Sequence, residues 1–121
     1  MNKRVLSILP AFLLALFLLP TLLTAFKQAT VAHAATFTVN IFHDENDGVC
    51  DASCSIRDAI LQATNGDDIT IPAGTYTLSS TNGMLTVTES LTFNGNSATD
   101  TIIDAQNNSR IFNITSGKVI L

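Results

Sequence analysis

The sequence predicts an all-β chain: a coil of short parallel strands, closed at its N-terminal end by one more strand and a short amphipathic helix. Three observations carry this reading. From Asp67 onward, three-residue apolar and threonine pieces recur between clusters of turn-forming residues. Like pieces return at intervals in the twenties, the repeat length of a solenoid with three strands per turn. The one stretch with helical spacing stands ahead of them all.

Taken in order, the chain begins with a segment that does not belong to this fold. Lys3 and Arg4 precede "VLSILPAFLLALFLLPTLLTAF", an almost wholly apolar run interrupted by Pro10 and Pro20. A few residues beyond it, Ala32-His33-Ala34 has the small-x-small pattern of a signal-peptidase site. Residues 1–34 therefore read as a signal peptide, cut between Ala34 and Ala35. A retained membrane anchor is the rival reading, since the run is long enough to span a bilayer. Cleavage removes Lys3, Arg4 and Lys27 and leaves 87 of the 121 residues, with Arg57, Arg110 and Lys118 against ten acidic groups. The net charge moves from −4 to −7. That balance argues against nucleic acid, whose phosphates need a basic face, and against an anionic lipid surface once the leader is gone. It suits neutral glycans, divalent cations or solvent. Eighty-seven residues make one small domain whose core is marginal on its own.

"TFTVNIFH" alternates Phe37, Val39 and Ile41 with polar residues and reads as a strand. The loop "DENDGVCDASC" follows. Asp44, Asp47 and Asp51, with Glu45 and Asn46 beside them, are candidate calcium ligands, because calcium takes carboxylate and carbonyl oxygens. The spacing is not that of an EF-hand: Gly48 falls one place early and no Glu closes the loop. The rival reading is a solvated acidic turn. Cys50 and Cys54 read as a disulfide in an exported chain. Zinc would need two more ligands with only His43 nearby, and C-x-x-x-C is not the redox C-x-x-C spacing.

In "SIRDAILQATNG", Ile56, Ala59, Ile60 and Ala63 fall on one face of a helix of about three turns. Ser55 is its N-cap, Asp58 the capping-box partner, and Asn65-Gly66 its stop. This spacing leaves Arg57, Asp58 and Gln62 facing water.

Then come the pieces "ITI" at 69, "YTL" at 76, "LTV" at 85, "LTF" at 91, "TII" at 101, "FNI" at 112 and "VIL" at 119. Separated by "PAG", "TNG", "NGN", "AQNNS" and "SG", they are also compatible with a sandwich of hairpins. Assigned in rotation to three sheets, the first set starts at positions 69, 91 and 119, the second at 76 and 101, and the third at 85 and 112. Each turn would then lay its strands on those of the turn before.

"DGVCDASCSIRDAILQA" resembles the CSLREA-type motif that opens many secreted bacterial right-handed parallel β-helix proteins, with Ile56 in place of Leu and Asp58 in place of Glu. "GDDITIPAGTYTL" and "SLTFNGNSATDTIIDAQNNSRIFNI" resemble the first coils of the pectin-lyase-like group. The resemblance implies a signal peptide (1–34), an N-terminal cap (35–66) and the first two or so coils of a right-handed parallel β-helix (67–121). It implies a secreted or cell-surface location and a structural role for this segment within an adhesin-like, glycan- or partner-binding protein. The alternative is the N-terminal part of a polysaccharide lyase or glycoside hydrolase. Lyases of that group place a basic residue and calcium-holding carboxylates on the middle coils. No such constellation stands here, so no catalytic residue is assigned. "GKVIL" stops in what reads as a strand, and the expectation is that further coils follow it.

Overall fold

In the computed structural model, which describes residues 34–121, eight strands and one helix are present among the described residues. The leader-like segment up to His33, including the bulk of the expected signal peptide, lies outside the described residues. The elements are β1 (Thr36–Thr38), α1 (Ile56–Gln62), β2 (Asp68–Ile71), β3 (Gly74–Thr77), β4 (Leu85–Val87), β5 (Leu91–Gly95), β6 (Thr101–Asp104), β7 (Phe112–Ile114) and β8 (Val119–Ile120). Apart from α1, the regular structure among the described residues is all strand, and every strand pair is parallel.

The strands form three short sheets, β1-β2-β5-β8, β3-β6 and β4-β7. The path visits them in a fixed order: β2, β3 and β4 enter the first, second and third sheets, β5, β6 and β7 do so again, and β8 returns to the first. Parallel neighbours cannot be joined by a tight hairpin, so the chain must travel through the other two sheets before pairing again. A sandwich of hairpins, whose neighbours would be antiparallel, is thereby excluded.

The registers correct the sequence alignment of the pieces. Matching their first residues pairs Ile69 with Leu91 and Tyr76 with Thr101. The structure pairs Ile69 with Phe93 and Tyr76 with Ile103, while Leu85 meets Phe112 as expected. Each of the first two ladders has slid by two positions, a shift that keeps every side chain on its face. The slide lengthens both of those repeats and brings Ile69–Phe93 and Tyr76–Ile103 closer in span to Leu85–Phe112 and Leu91–Val119.

The residues before β2 follow the same route. Phe37 of β1 lies in register with Ile69, and His43 forms a parallel bridge with Thr77, whose N–H reaches the Phe42 carbonyl at 2.9 Å. The helix α1 then packs on β4 and β2. A strand on the first sheet, a bridge on the second and a helix against the third thus make an incomplete preliminary turn. The expected strand over "TFTVNIFH" is accordingly shorter than its alternation predicts. Val39 still donates to Thr70 O at 2.9 Å, but Asn40 and Ile41 turn to the Cys54 carbonyl, at 3.0 and 3.4 Å.

Helix α1 has seven residues, about two turns rather than three. The chain leaves the helix at Ala63, which is extended (φ −69°, ψ 149°). The next N–H, from Thr64, goes to Asp67 Oδ2 at 2.7 Å instead of continuing the helical ladder. Gly66, with φ +94°, then lets the backbone turn into β2, and its N–H reaches Ser90 O at 2.8 Å.

The core is filled mainly from the preliminary turn, the first full turn and β5, which opens the second. Val39, Ala59, Ile69, Leu85 and Val87 are completely buried, with Ile56, Ile60, Ala63, Tyr76, Leu78, Leu91 and Phe93 nearly so. Burial of such an aliphatic or aromatic side chain is worth about 1.5–3 kcal/mol. Phe93 meets Phe112 edge-on, with centroids 5.4 Å apart. Beyond that layer the core thins. Ile103, Ile111, Phe112 and Val119 are only partly buried, and Ile114 and Ile120 are about half exposed.

Candidate functional site

The densest polar chemistry lies where the acidic loop, α1 and the turn before β4 meet. Arg57 starts on α1 and is largely buried, contrary to the expectation that it faces water. Its Nε donates to Asp44 Oδ1 at 2.8 Å and its Nη2 to Asp44 Oδ2 at 2.9 Å, a two-pronged ion pair with side-chain exposures of only 10% and 1%. The fork extends to the carbonyls of Gly83 (Nη2, 2.8 Å) and Met84 (Nη1, 3.1 Å). Planar guanidinium geometry makes this four-way contact, which a lysine cannot copy. The Asp44 carboxylate also accepts from Ser79 N–H at 2.9 Å, and Asn82 Nδ2 lies 3.4 Å from it. Burial by itself would raise the Asp44 carboxyl. The Arg57 guanidinium, Ser79 N–H and Asn82 outweigh that and hold it below its ordinary 3.8.

Asp58 is the second correction: it is fully buried, not solvated. The expected cap is present, since Ser55 is the N-cap and its Oγ accepts from Asp58 N–H at 3.1 Å. The return contact differs from a standard capping box. Asp58 Oδ1 accepts from Gly48 N–H at 2.9 Å, and Oδ2 lies 2.7 Å from Ser55 Oγ. The single hydroxyl hydrogen of Ser55 serves either that oxygen or the Glu45 carbonyl, 2.8 Å away. Asp58 therefore fastens the acidic loop to the helix start. Gln62 is exposed as expected, and its Oε1 accepts from Cys50 N–H at 2.7 Å.

Cys50 and Cys54 form a disulfide with Cα atoms 4.3 Å apart. Asn40 Oδ1 accepts from Cys54 N–H at 2.7 Å, and its Nδ2 donates to Ala52 O at 3.2 Å, so the bridged turn is also tied to the end of the first strand segment. The candidate calcium ligands are put to separate uses. Asp44 pairs with Arg57. Asp47 Oδ1 accepts from Val49 N–H (2.9 Å), and Asp51 Oδ1 from Ser53 N–H (3.0 Å), each closing its own local turn. Among the described residues no group of three or more His, Cys, Asp or Glu side chains is arranged to hold a metal ion. Glu45 Oε2 is the one buried side-chain oxygen or nitrogen among them without a hydrogen-bond partner.

No protein-family model, curated protein or solved structure matches this chain.

Function must therefore be argued from the geometry above and from what the rest of the surface offers. Among the described residues no helix is long and apolar enough to cross a membrane. At the end of the fold away from α1, an apolar cleft of about 340 Å³ opens between Ile71, Phe93, Ile103, Phe112 and Leu121. The sequence signalled the Ser55–Asp58 pair through its spacing. It gave no signal for Arg57 as the centre of the network, because its partners lie 13 residues before it and 26 and 27 after it.

Proposed function

We propose that this chain forms the sealed N-terminal end and first turns of a right-handed parallel β-helix in an exported protein. Its role is structural: residues 35–66 close the coil and residues 67–121 begin it. The observation that carries this reading is the repeated passage through three parallel sheets, started by a preliminary turn that ends in α1. A solenoid needs its terminal cross-section covered and its first strand edge paired. Here Ile56, Ala59, Ile60 and Ala63 supply the apolar cover, β1 pairs the edge of β2, and Arg57 keys the helix to the turn before β4. The opposite end presents the edges of β6 and β7 and the apolar cleft, the surface onto which a further turn would pair. The disulfide supports an oxidising, extracytoplasmic setting.

The parent protein is read as adhesin-like, secreted or surface-displayed, binding glycans or partner proteins. Outward-facing Thr75, Thr86, Thr92, Asn94 and Asn113 supply hydroxyl and amide groups for such contacts. Deletion of residues 35–66 behind an intact leader tests the capping role. The expected product aggregates or is degraded, and a soluble, cooperatively folding remainder would overturn the reading. Glycan-array binding by the full-length parent tests the wider role. Release of unsaturated sugars from an acidic polysaccharide would instead favour a lyase.

A further inference from the structure

Asp67 lies just before β2 and is 5% exposed, yet among the described residues it has no cationic partner. Its carboxylate is held by neutral donors. Oδ2 accepts from Thr64 N–H at 2.7 Å and from Thr64 Oγ1 at 2.9 Å. Oδ1 accepts from one group far away in the chain, the backbone nitrogen of Ala35, at 2.7 Å. Ala35 is also held from its other side, since its carbonyl accepts from Asp68 N–H at 2.9 Å. The residue is thus fixed at both its nitrogen and its oxygen, immediately ahead of the Thr36–Asp68 register pair. Ala35 is also the residue that the A-x-A pattern places directly after the cut.

We propose that Asp67 is a built acceptor for the α-ammonium group that cleavage of the Ala34–Ala35 bond creates, so that leader removal itself completes the fold's first turn. The inference rests on the reading of residues 1–34 as a cleaved leader. Hydrolysis adds water across that peptide bond: Ala34 departs with a carboxylate, and the Ala35 nitrogen becomes –NH₃⁺ at neutral pH. The nitrogen need not move to make the new contact. At 2.7 Å a hydrogen bond from a neutral amide to the carboxylate becomes an ion pair, giving Asp67 a counter-charge that it otherwise lacks among the described residues. In the uncleaved chain the same nitrogen supplies one amide hydrogen and no charge. The device distinguishes the two forms chemically and favours the processed one.

The Ala35 ammonium is then expected to titrate above its usual range of about 7.7–8.0. Its stabilising effect is complete below that range and is lost as the pH rises through the raised folded value. The other titratable groups on the elements around it are Asp68 on β2, Glu89 in the turn before β5 and Lys118 before β8. No side-chain hydrogen bond joins any of them to Asp67 among the described residues, so the Ala35 nitrogen is the group whose charge changes against it.

The full chain, expressed through an export route, tests this in three forms: wild type, Asp67→Asn, and a form with one alanine inserted after Ala34. The insertion displaces the new amino group by one residue while keeping Asp67. Intact mass of the released chain checks the premise separately, and a cut anywhere but before Ala35 in the wild type overturns it. Acylation of the α-amine is then followed from pH 7 to 9, in buffer and in denaturant. The wild type should be protected about tenfold in buffer at pH 7, matching a pKa raised by about one, and the protection should shrink towards pH 9. Both variants should react at close to the denatured rate. The wild type's melting advantage over the inserted-alanine form should shrink between pH 7 and 10. Equal folded and denatured acylation rates in the wild type, or a melting difference independent of pH, would overturn the proposal. Because the inserted-alanine form retains the carboxylate, the test stands even if Asp67→Asn fails to fold.

Discussion

Arg57 Nε and Asp44 Oδ1 meet at 2.8 Å across 13 residues of chain, in a pair almost wholly removed from solvent. Breaking such a pair leaves one charge buried without its partner, and the cost of that exceeds what the pair contributes. Arg57→Ala or Asp44→Ala should each cost about 3 kcal/mol or more by denaturant titration. Arg57→Met combined with Asp44→Leu should cost clearly less than the sum of the two single changes. Arg57→Lys should not rescue, because one ammonium cannot reach Asp44 and the Gly83 and Met84 carbonyls together.

Acid should destabilise the fold through two carboxylates. Asp44 and Asp67 are both held below their ordinary 3.8, Asp44 by Arg57, Ser79 and Asn82 acting against burial, Asp67 by the N–H groups of Thr64 and Ala35. A depressed folded value contributes stability that is complete above the unfolded value and is lost as the pH falls through the folded one. Urea midpoints should hold steady down to about pH 4 and then fall. Asp44→Asn and Asp67→Asn should each start lower and show a shallower decline.

Ser55→Ala removes the acceptor for Asp58 N–H and the donor shared by Asp58 and the Glu45 carbonyl. The expected cost is about 1–2 kcal/mol, the upper part of the usual range for a lost N-cap. Hydrogen exchange should rise first in α1 and in residues 45–48.

Reducing the Cys50–Cys54 bridge frees a very short loop, worth about 2 kcal/mol at most on a chain-entropy model. A small drop in melting temperature, with faster exchange confined to the bridged turn, is expected. Loss of the whole cooperative transition would show that the bridge governs more than its own loop. Calcium should leave the melting temperature nearly unchanged, because Asp44, Asp47 and Asp51 already serve separate partners. A rise of several degrees would mean that the loop rearranges to gather them.

Gly117→Ala should release β8. At φ +77° an added Cβ would stand 2.5 Å from the Glu89 carbonyl carbon and oxygen, which are backbone atoms that cannot swing aside. Exchange at the Leu91 amide, bonded to Lys118 O at 3.0 Å, should rise sharply while Ile69 stays protected.

The strands, their turns and the helix start were legible in the sequence because each is a local pattern. The pieces "ITI", "LTV" and "LTF" fall within β2, β4 and β5, and Ser55 with Asp58 marked the cap. Register was not legible: pairing Ile69 with Leu91 or with Phe93 buries the same faces, so a slide by two positions leaves no trace in the pattern. The preliminary turn was hidden for a related reason. Its contact on the second sheet is a single bridge at His43, too short to show any periodicity. Arg57 and Asp58 were misplaced because helical spacing assigns charges outward by default. What draws them inward are Asp44, Gly48, Gly83 and Met84, chosen by the fold and distant in the chain.

The parallel ladders also set how the molecule answers to force. A pull applied at Leu121 first loads the two pairings Leu91–Val119 and Thr92–Ile120, a short ladder at the least buried end. Peeling one lap frees the chain between Leu91 and Val119, about 95 Å when extended. Under tension the fold would therefore yield in discrete steps of that size rather than all at once. The last lap to give way would be the one that Arg57 and Asp44 hold shut.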